Sequence, residues 1–199
     1  MAPDYKIAAA VLIGGRSTRM GSPKEDVIIP GDGRTFLDRI CDEVDSCFGE
    51  YLCKRYLSVR KGQIKTREGY TLVEDEYDDI GPLGGLASVL KKASDDGCHA
   101  VLLLACDMIC YTRNEIANIC NRYSGQDILF ARTDKSDIQP LASIYSVGMI
   151  ERAITQVGSG DYRLRKLADG SENISFYDPV SSDIYRNVND FSAPVCFRT

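Results

Sequence analysis

His99 is the only histidine in this chain of 199 residues, which excludes a catalytic set built on several histidines and leaves a metal little imidazole to bind. Cysteine is not scarce, with eight residues, yet no two of them form a C-x-x-C pair. The nearest spacings, Cys41 to Cys47, Cys47 to Cys53 and Cys106 to Cys110, argue against a structural zinc site. Met1 to Lys6 lacks the charged-then-apolar plan of a signal peptide, so most cysteines are expected to be reduced, buried small hydrophobes. Cys110 and Cys196 are the two to inspect for exposure. Positive charge is also in deficit. Twenty-four Lys and Arg face 29 Asp and Glu, and a net charge of -5 opposes a nucleic-acid grip. Long apolar runs are missing too: Ile7 to Ile13 and Ala100 to Ala105 are strand-length, far short of the roughly 20 residues a membrane helix needs. The expected compartment is cytoplasmic, with neither membrane nor nucleic acid as a partner. Tryptophan is absent, but 44% hydrophobic residues is ordinary, and 199 residues can bury one domain's core.

Apolar runs alternate with amphipathic stretches along the chain, the pattern of an α/β domain. Ile7 to Ile13 reads as a fully buried strand, followed by a loop from Gly14 to Pro23. Thr35 to Phe48 has Phe36, Leu37, Ile40, Cys41, Val44 and Cys47 at helical spacing. Tyr51 to Val59 and Tyr70 to Val73 read as strands. Pro82 opens a helix to about Ala93, in the position where proline fits best. Ala100 to Ala105 is a second buried strand, and Thr112 caps a helix reaching Arg122. Further on, Asp127 to Thr133 and Leu141 to Tyr145 read as strands, Gly148 to Val157 and Tyr162 to Ala168 as helices, and Ile174 to Tyr177 and Ile184 to Val188 as late strands. No repeat or linker interrupts residues 1–199, which are expected to form one domain. In parallel α/β sheets ligands sit outside the carboxyl ends of the strands, so the loops after Ile13, Val73 and Ala105 are the informative ones.

The first of these runs Gly14-Gly15-Arg16-Ser17-Thr18-Arg19-Met20-Gly21-Ser22-Pro23-Lys24. Glycines directly after a buried strand let backbone N–H groups approach an anion, and Arg16, Arg19 and Lys24 add positive charge. A polyphosphate suits such a loop, although neither a P-loop nor a G-x-G-x-x-G pattern is present. A solvated basic turn is the plainer alternative. The second is Asp107, just past the strand Val101-Leu102-Leu103-Leu104-Ala105, placed where a divalent ion could bridge it to phosphate; a turn or helix cap is equally open. The third is Gly81-Pro82-Leu83-Gly84-Gly85 after Glu74-Asp75-Glu76, where the carboxylates alone would read as a solvated loop.

Order and spacing carry a resemblance that no single loop carries. Val11-Leu12-Ile13-Gly14-Gly15, then Arg19-Met20-Gly21 and Lys24, resembles the L-A-G-G-x-x-x-R-M-G-x-x-K signature of nucleotidyltransferases with a Rossmann-like fold. Within that group the chain is similar to the molybdenum cofactor guanylyltransferases. Glu74-Asp75, Gly81-Pro82-Leu83-Gly84-Gly85, Cys106-Asp107, Gln139-Pro140-Leu141, Arg163-Leu164-Arg165 and Asn187-Val188-Asn189 follow in that family's order. The resemblance implies a three-layer α/β fold with a mostly parallel, partly mixed sheet, a nucleotide-binding half over about 1–110 and an acceptor-binding half over about 111–199. It implies Mg2+, GTP as substrate and molybdopterin as acceptor. Arg19, Lys24 and Asp107 would be catalytic, with Asp107 on the metal. Leu12, Gly14, Gly15, Arg16, Ser17, Lys24, Asp75, Gly81, Pro82 and Gly84 would bind the nucleotide. Gln139, Pro140, Arg163, Arg165, Lys166 and Asn187 would face the acceptor, though Arg163 and Arg165 also read as the polar face of a helix. Other molybdenum-cofactor proteins or a recipient molybdoenzyme would be partners, and a monomer and a homodimer are both compatible with the sequence.

Three departures mark this chain. Pro23 stands before Lys24 where the family has aspartate, as in the related cytidylyltransferases, and acidic Glu25 and Asp26 follow where small or apolar residues are common. The strand Tyr56-Leu57-Ser58-Val59-Arg60 offers no asparagine toward guanine. Pro194 and Thr199 stand where the family continues into a helix. A sibling transferase using another base or acceptor (molybdopterin cytidylyl, sugar or alcohol phosphate) is therefore one alternative. A catalytically silent nucleotide- or cofactor-binding protein is the other.

Overall fold

The computed structural model describes residues 5–13, 23–77, 79–133 and 137–185, except the side chains of Ser182 and Asp183. Its centre is a seven-stranded sheet built from β1 (Ile7–Leu12), β2 (Lys54–Val59), β3 (Thr71–Glu74), β4 (Ala100–Ala105), β5 (Ile128–Arg132), β6 (Ile138–Ser146) and β7 (Ile174–Tyr177) in the order β3-β2-β1-β4-β6-β5-β7. Every neighbouring pair is parallel except those made by β6, which runs against β4 and β5. Four helices accompany it among the described residues: α1 (Phe36–Asp45), α2 (Pro82–Asp95), α3 (Arg113–Arg122) and α4 (Ile150–Ser159).

Period-two alternation in the central strands divides the core between the two faces. Ile7, Ala9 and Val11 of β1 pack with Leu102 and Leu104 of β4 under Leu37, Ile40 and Val44 of α1 and Ile116 and Ile119 of α3. Ala8, Ala10, Val101 and Leu103 face the other way, beneath Leu83, Leu86 and Leu90 of α2 and Ala153 of α4. A strand buried on both faces needs apolar residues at every position, which is why β1 and β4 read as unbroken runs. Caps fix the helix starts. Thr35 accepts from Asp38 N–H and Thr112 from Glu115 N–H, while Pro82 occupies the first turn of α2.

Two expected elements take another form. The stretch Tyr162 to Ala168 is a 3-10 turn over Leu164–Ala168, because its two buried residues, Leu164 and Leu167, are three apart and line up at three residues per turn. The expected strand from Ile184 is the 3-10 turn Ser182–Tyr185; adjacent Ile184 and Tyr185 are both buried in one cluster, which a strand would have turned to opposite faces. The remainder of that strand, 186–188, lies outside the described residues. β6 begins earlier than expected, at Ile138, and contains Pro140. Its pairing with β5 shifts between Gln139 and Ile144, an irregularity that tolerates a residue without an N–H. There Ser143 Oγ accepts from Ala131 N–H at 3.0 Å and donates to Gln139 O at 2.7 Å.

The seven described cysteines are free thiols, and all but the half-buried Cys53 are buried, Cys110 included; Cys196 lies outside the described residues. His99 Nδ1 accepts from Lys6 N–H at 3.0 Å and its ring meets Tyr5 edge-on, a structural role. Among the described residues no helix is long and apolar enough to cross a membrane.

Candidate active site

Chain order leaves β1 toward β2 and β3 on one side and returns through α2 to β4 on the other. The switch point between β1 and β4 is where open α/β sheets hold their ligands. The strand ends there are pinned by backbone bonds: Ile13 N–H to Ser58 O at 3.1 Å, Asp75 N–H to Val59 O at 2.9 Å and Cys106 N–H to Leu12 O at 3.2 Å. Above them opens a cleft of about 1050 Å³. Leu12 and Ile13 of the β1 end, Ser58, Asp75, Gly81 and Pro82 line it, as do Lys24 and Asp107.

At the switch point Lys24 Nζ donates to Asp107 Oδ2 at 2.8 Å. Lys24 heads a 3-10 turn, Lys24–Asp26, and Asp107 follows β4 directly, so two segments far apart in the chain deliver opposite charges to one spot. Asp107 is only 7% exposed, and a carboxylate so buried requires a cation or donors. Next to β3, Asp75 Oδ1 accepts from Ser58 Oγ at 3.1 Å. Burial pushes the Asp75 carboxyl up to about 6, with Glu74 adding repulsion and Ser58 partly opposing both. Gly85 of α2 makes room here: a Cβ on it would lie 2.9 Å from Ser58 Oγ, 3.0 Å from Leu12 Cδ2 and 3.2 Å from Asp75 Oδ1. Gly81, with φ of 72°, gives the turn into α2 a backbone that side chains rarely adopt.

Residues 9–174 match the MobA-like NTP transferase domain. The chain belongs to that family. It is a nucleotidyltransferase, and similar proteins include probable molybdenum cofactor guanylyltransferases. A probable molybdenum cofactor guanylyltransferase of Mycobacterium marinum is 27% identical over 192 residues, 95% of this chain and 93% of its own. The protein of the same name from Mycobacterium tuberculosis H37Rv is 26% identical over 180 residues, 86% of this chain and 84% of its own. The crystal structure of molybdopterin-guanine dinucleotide biosynthesis protein A from Archaeoglobus fulgidus superposes with a TM-score of 0.68 at 18% identity, covering 86% of this chain and 83% of that one, a likeness of fold.

In this nucleotidyltransferase, Leu12, Lys24, Asp75, Gly81, Pro82 and Asp107 come together in the cleft. Gly84 does not face it; a Cβ there would meet Ile80 Cγ1 at 2.8 Å, so its role is packing, and neighbouring Gly85 faces the cleft instead. Gln139 and Pro140 lie at the start of β6 beside Leu141, which reaches the cleft wall. Arg163 and Lys166 line a separate, open depression of about 540 Å³ against α4, where they pair with Asp161 at 2.5 Å and Asp169 at 2.8 Å; Arg165 is exposed on the same 3-10 turn. Gly14, Gly15, Arg16, Ser17, Arg19 and Asn187 lie outside the described residues. Sequence reading did not select Arg60, Lys61, Gly62 and Gln63, which follow β2 and line the cleft. Polar and without periodicity, they carry no signal of their own beyond their place at a strand's carboxyl end.

Proposed function

We propose that the protein transfers GMP from GTP to the terminal phosphate of molybdopterin, releasing pyrophosphate with magnesium present. The observation that carries this reading is the Lys24–Asp107 pair at the switch point, in one cleft with Asp75, Ser58 and Gly85. A space of about 1050 Å³ suits a nucleoside triphosphate with a second substrate beside it. The acceptor's phosphate oxygen attacks the α-phosphorus of GTP, the bond to the β-phosphate oxygen breaks, and pyrophosphate leaves with the electron pair. An ionised phosphate needs no general base, which agrees with a chain holding one structural histidine. Lys24, with Arg19 by resemblance, neutralises the β- and γ-phosphates as charge moves onto them, a contribution of about 2–4 kcal/mol for a well-placed donor.

Among the described residues no three His, Cys, Asp or Glu cluster as a ready-made metal cage. Mg2+ does not require one, since it commonly keeps several waters and binds one or two carboxylates plus substrate phosphates. Asp107 is such a carboxylate and would hold the ion, which when bound supplies Lewis-acid polarisation of the phosphate. Asp75 gives the base site its acceptor, since a carboxylate can take both the N1–H and the N2–H of guanine and so do without an asparagine in 56–60. Leu12 offers that base an apolar wall. The nucleotide half would cover about 1–110 and the acceptor half about 111–199 of a single cytoplasmic domain, monomeric or dimeric, that passes its product to a molybdoenzyme or another cofactor protein.

A second reading, CMP transfer, is favoured by Pro23 before Lys24. Pyrophosphate release measured with magnesium and molybdopterin, comparing GTP, CTP, ATP and UTP, separates the two. Release with GTP alone is expected; preference for CTP moves the protein to the cytidylyl branch, and no release with any nucleotide overturns the acceptor assignment.

A further inference from the structure

The acidic residues that follow Lys24 have partners in the loop after β2. Glu25 is only 4% exposed, and its Oε1 accepts from Gln63 Nε2 at 2.6 Å. The other end of the same amide, Gln63 Oε1, accepts from Arg60 N–H at 3.1 Å, while Gln63 N–H donates to Arg60 O at 2.9 Å. Asp26 forms a close ion pair with Lys65. The turn that carries Lys24 and the loop after β2 are therefore one bonded unit, and both face the cleft.

We propose that Gln63 is a positioning residue for the transfer reaction: by satisfying buried Glu25 it fixes the turn Lys24–Asp26 and so holds the Lys24 ammonium in the cleft against Asp107. The proposal rests on the reading of Lys24 as a phosphate clamp. A buried carboxylate left without a donor seeks the nearest cation. Without Gln63, Glu25 would compete with Asp107 and incoming phosphate for the neighbouring ammonium. Glutamine suits the task because one end donates to the carboxylate while the other is locked by a backbone N–H, so the amide cannot turn its oxygen toward Glu25 without losing a bond.

The test titrates magnesium pyrophosphate, the leaving group whatever the base or acceptor, into the full-length protein and four variants: Lys24→Ala, Gln63→Ala, the double variant, and the exchanged pair Glu25→Gln with Gln63→Glu. Gln63→Ala should weaken binding on the order of tenfold, well within what a misplaced clamp can cost. The double variant should bind no more weakly than Lys24→Ala, since a residue acting through Lys24 adds nothing once Lys24 is gone. The exchanged pair keeps one donor and one acceptor and should recover binding to within about threefold of the unmodified protein, well inside the tenfold step that 1.4 kcal/mol represents. Unchanged binding by Gln63→Ala, additive losses in the double variant, or an exchanged pair that binds no better than Gln63→Ala each overturn the positioning role. A Gln63→Ala protein that fails to fold leaves the exchanged pair to decide. If unmodified protein does not bind pyrophosphate, or Lys24→Ala binds as it does, the clamp reading falls and the proposal with it. If the binding pattern is as expected but no nucleotide gives pyrophosphate release, the positioning role stands and only the substrate assignment fails.

Discussion

Asp107, buried, and Asp75, half-buried, are carboxylates at strand ends with different surroundings. Asp107 has a cation at 2.8 Å, whereas among the described residues Asp75 has a serine hydroxyl at 3.1 Å. Asp107→Ala should reduce transfer by about 10²-fold or more, as loss of a preorganised charge does, with the circular dichroism spectrum of the folded protein retained. Asp75 makes a prediction with two signs. Its carboxyl stands at about 6, above its ordinary value, so the folded state holds that proton more tightly than the unfolded chain does. Its contribution therefore favours the fold at low pH, is lost as pH rises toward about 6, and stays lost above. Asp75→Asn should then raise stability at pH 7.5 by about 1–2 kcal/mol once solvent screening is allowed for, measured by urea unfolding. Nucleotide binding moves the other way: it should weaken as pH falls through about 6 in the unmodified protein and be poor at every pH in Asp75→Asn. Asp107 stood out in the sequence because it ends an apolar run, and Asp75 through the acidic strand end ahead of Gly81 and the family resemblance. Glu25 and Gln63 were not: their bond joins two polar loops whose proximity only the folded sheet creates.

Among the elements, α2 shows how a helix can serve as a wall. Its first turns present Gly84 to Ile80 and Gly85 to the cleft, so two neighbouring glycines that look alike in sequence have opposite duties. Gly85→Ala would force a methyl against Ser58, held in the β2–β3 register, and Asp75, whose N–H donates to Val59 O at 2.9 Å. We expect a cost of about 1–3 kcal/mol in thermal or urea unfolding and a larger loss of nucleotide affinity than of stability, because the displaced groups line the cleft. The strands and helices up to Arg122 follow their periodicity closely, each having one clear partner layer. Beyond that point the pattern weakens for physical reasons. β6 carries an irregularity around Pro140, and the segments at 164–168 and 182–185 bury residues at intervals that short 3-10 turns satisfy and that neither template describes.

On the scale of the molecule, the antiparallel β6 separates the strands that line the cleft from β5 and β7, and a polar tie joins the far edge to the helices besides the apolar core. Glu115 of α3 does this. Only 3% exposed, it accepts from Tyr177 Oη at the end of β7 and from Val180 N–H at 3.0 Å. Glu115→Ala should lower unfolding free energy by about 2–3 kcal/mol, and Glu115→Gln by less, with pyrophosphate binding at the distant cleft largely unchanged. The loop after β2 is moored differently at its two ends. Near the cleft the holding bond is a buried carboxylate on a neutral amide. At the far end Arg67 grips Asp38, Asp42 and Asp45 of α1 at 2.6, 2.7 and 3.3 Å, with those aspartates 31–44% exposed. Ionic strength distinguishes the two moorings, because the screening length falls from about 10 Å at 0.1 M to about 3 Å at 1 M and acts on exposed charge pairs. Hydrogen exchange of the Tyr70 amide, which donates to Arg67 O at 3.1 Å, should therefore quicken in concentrated potassium chloride while the Arg60 and Gln63 amides stay protected, so that salt frees the loop's outer end and leaves its inner end in place.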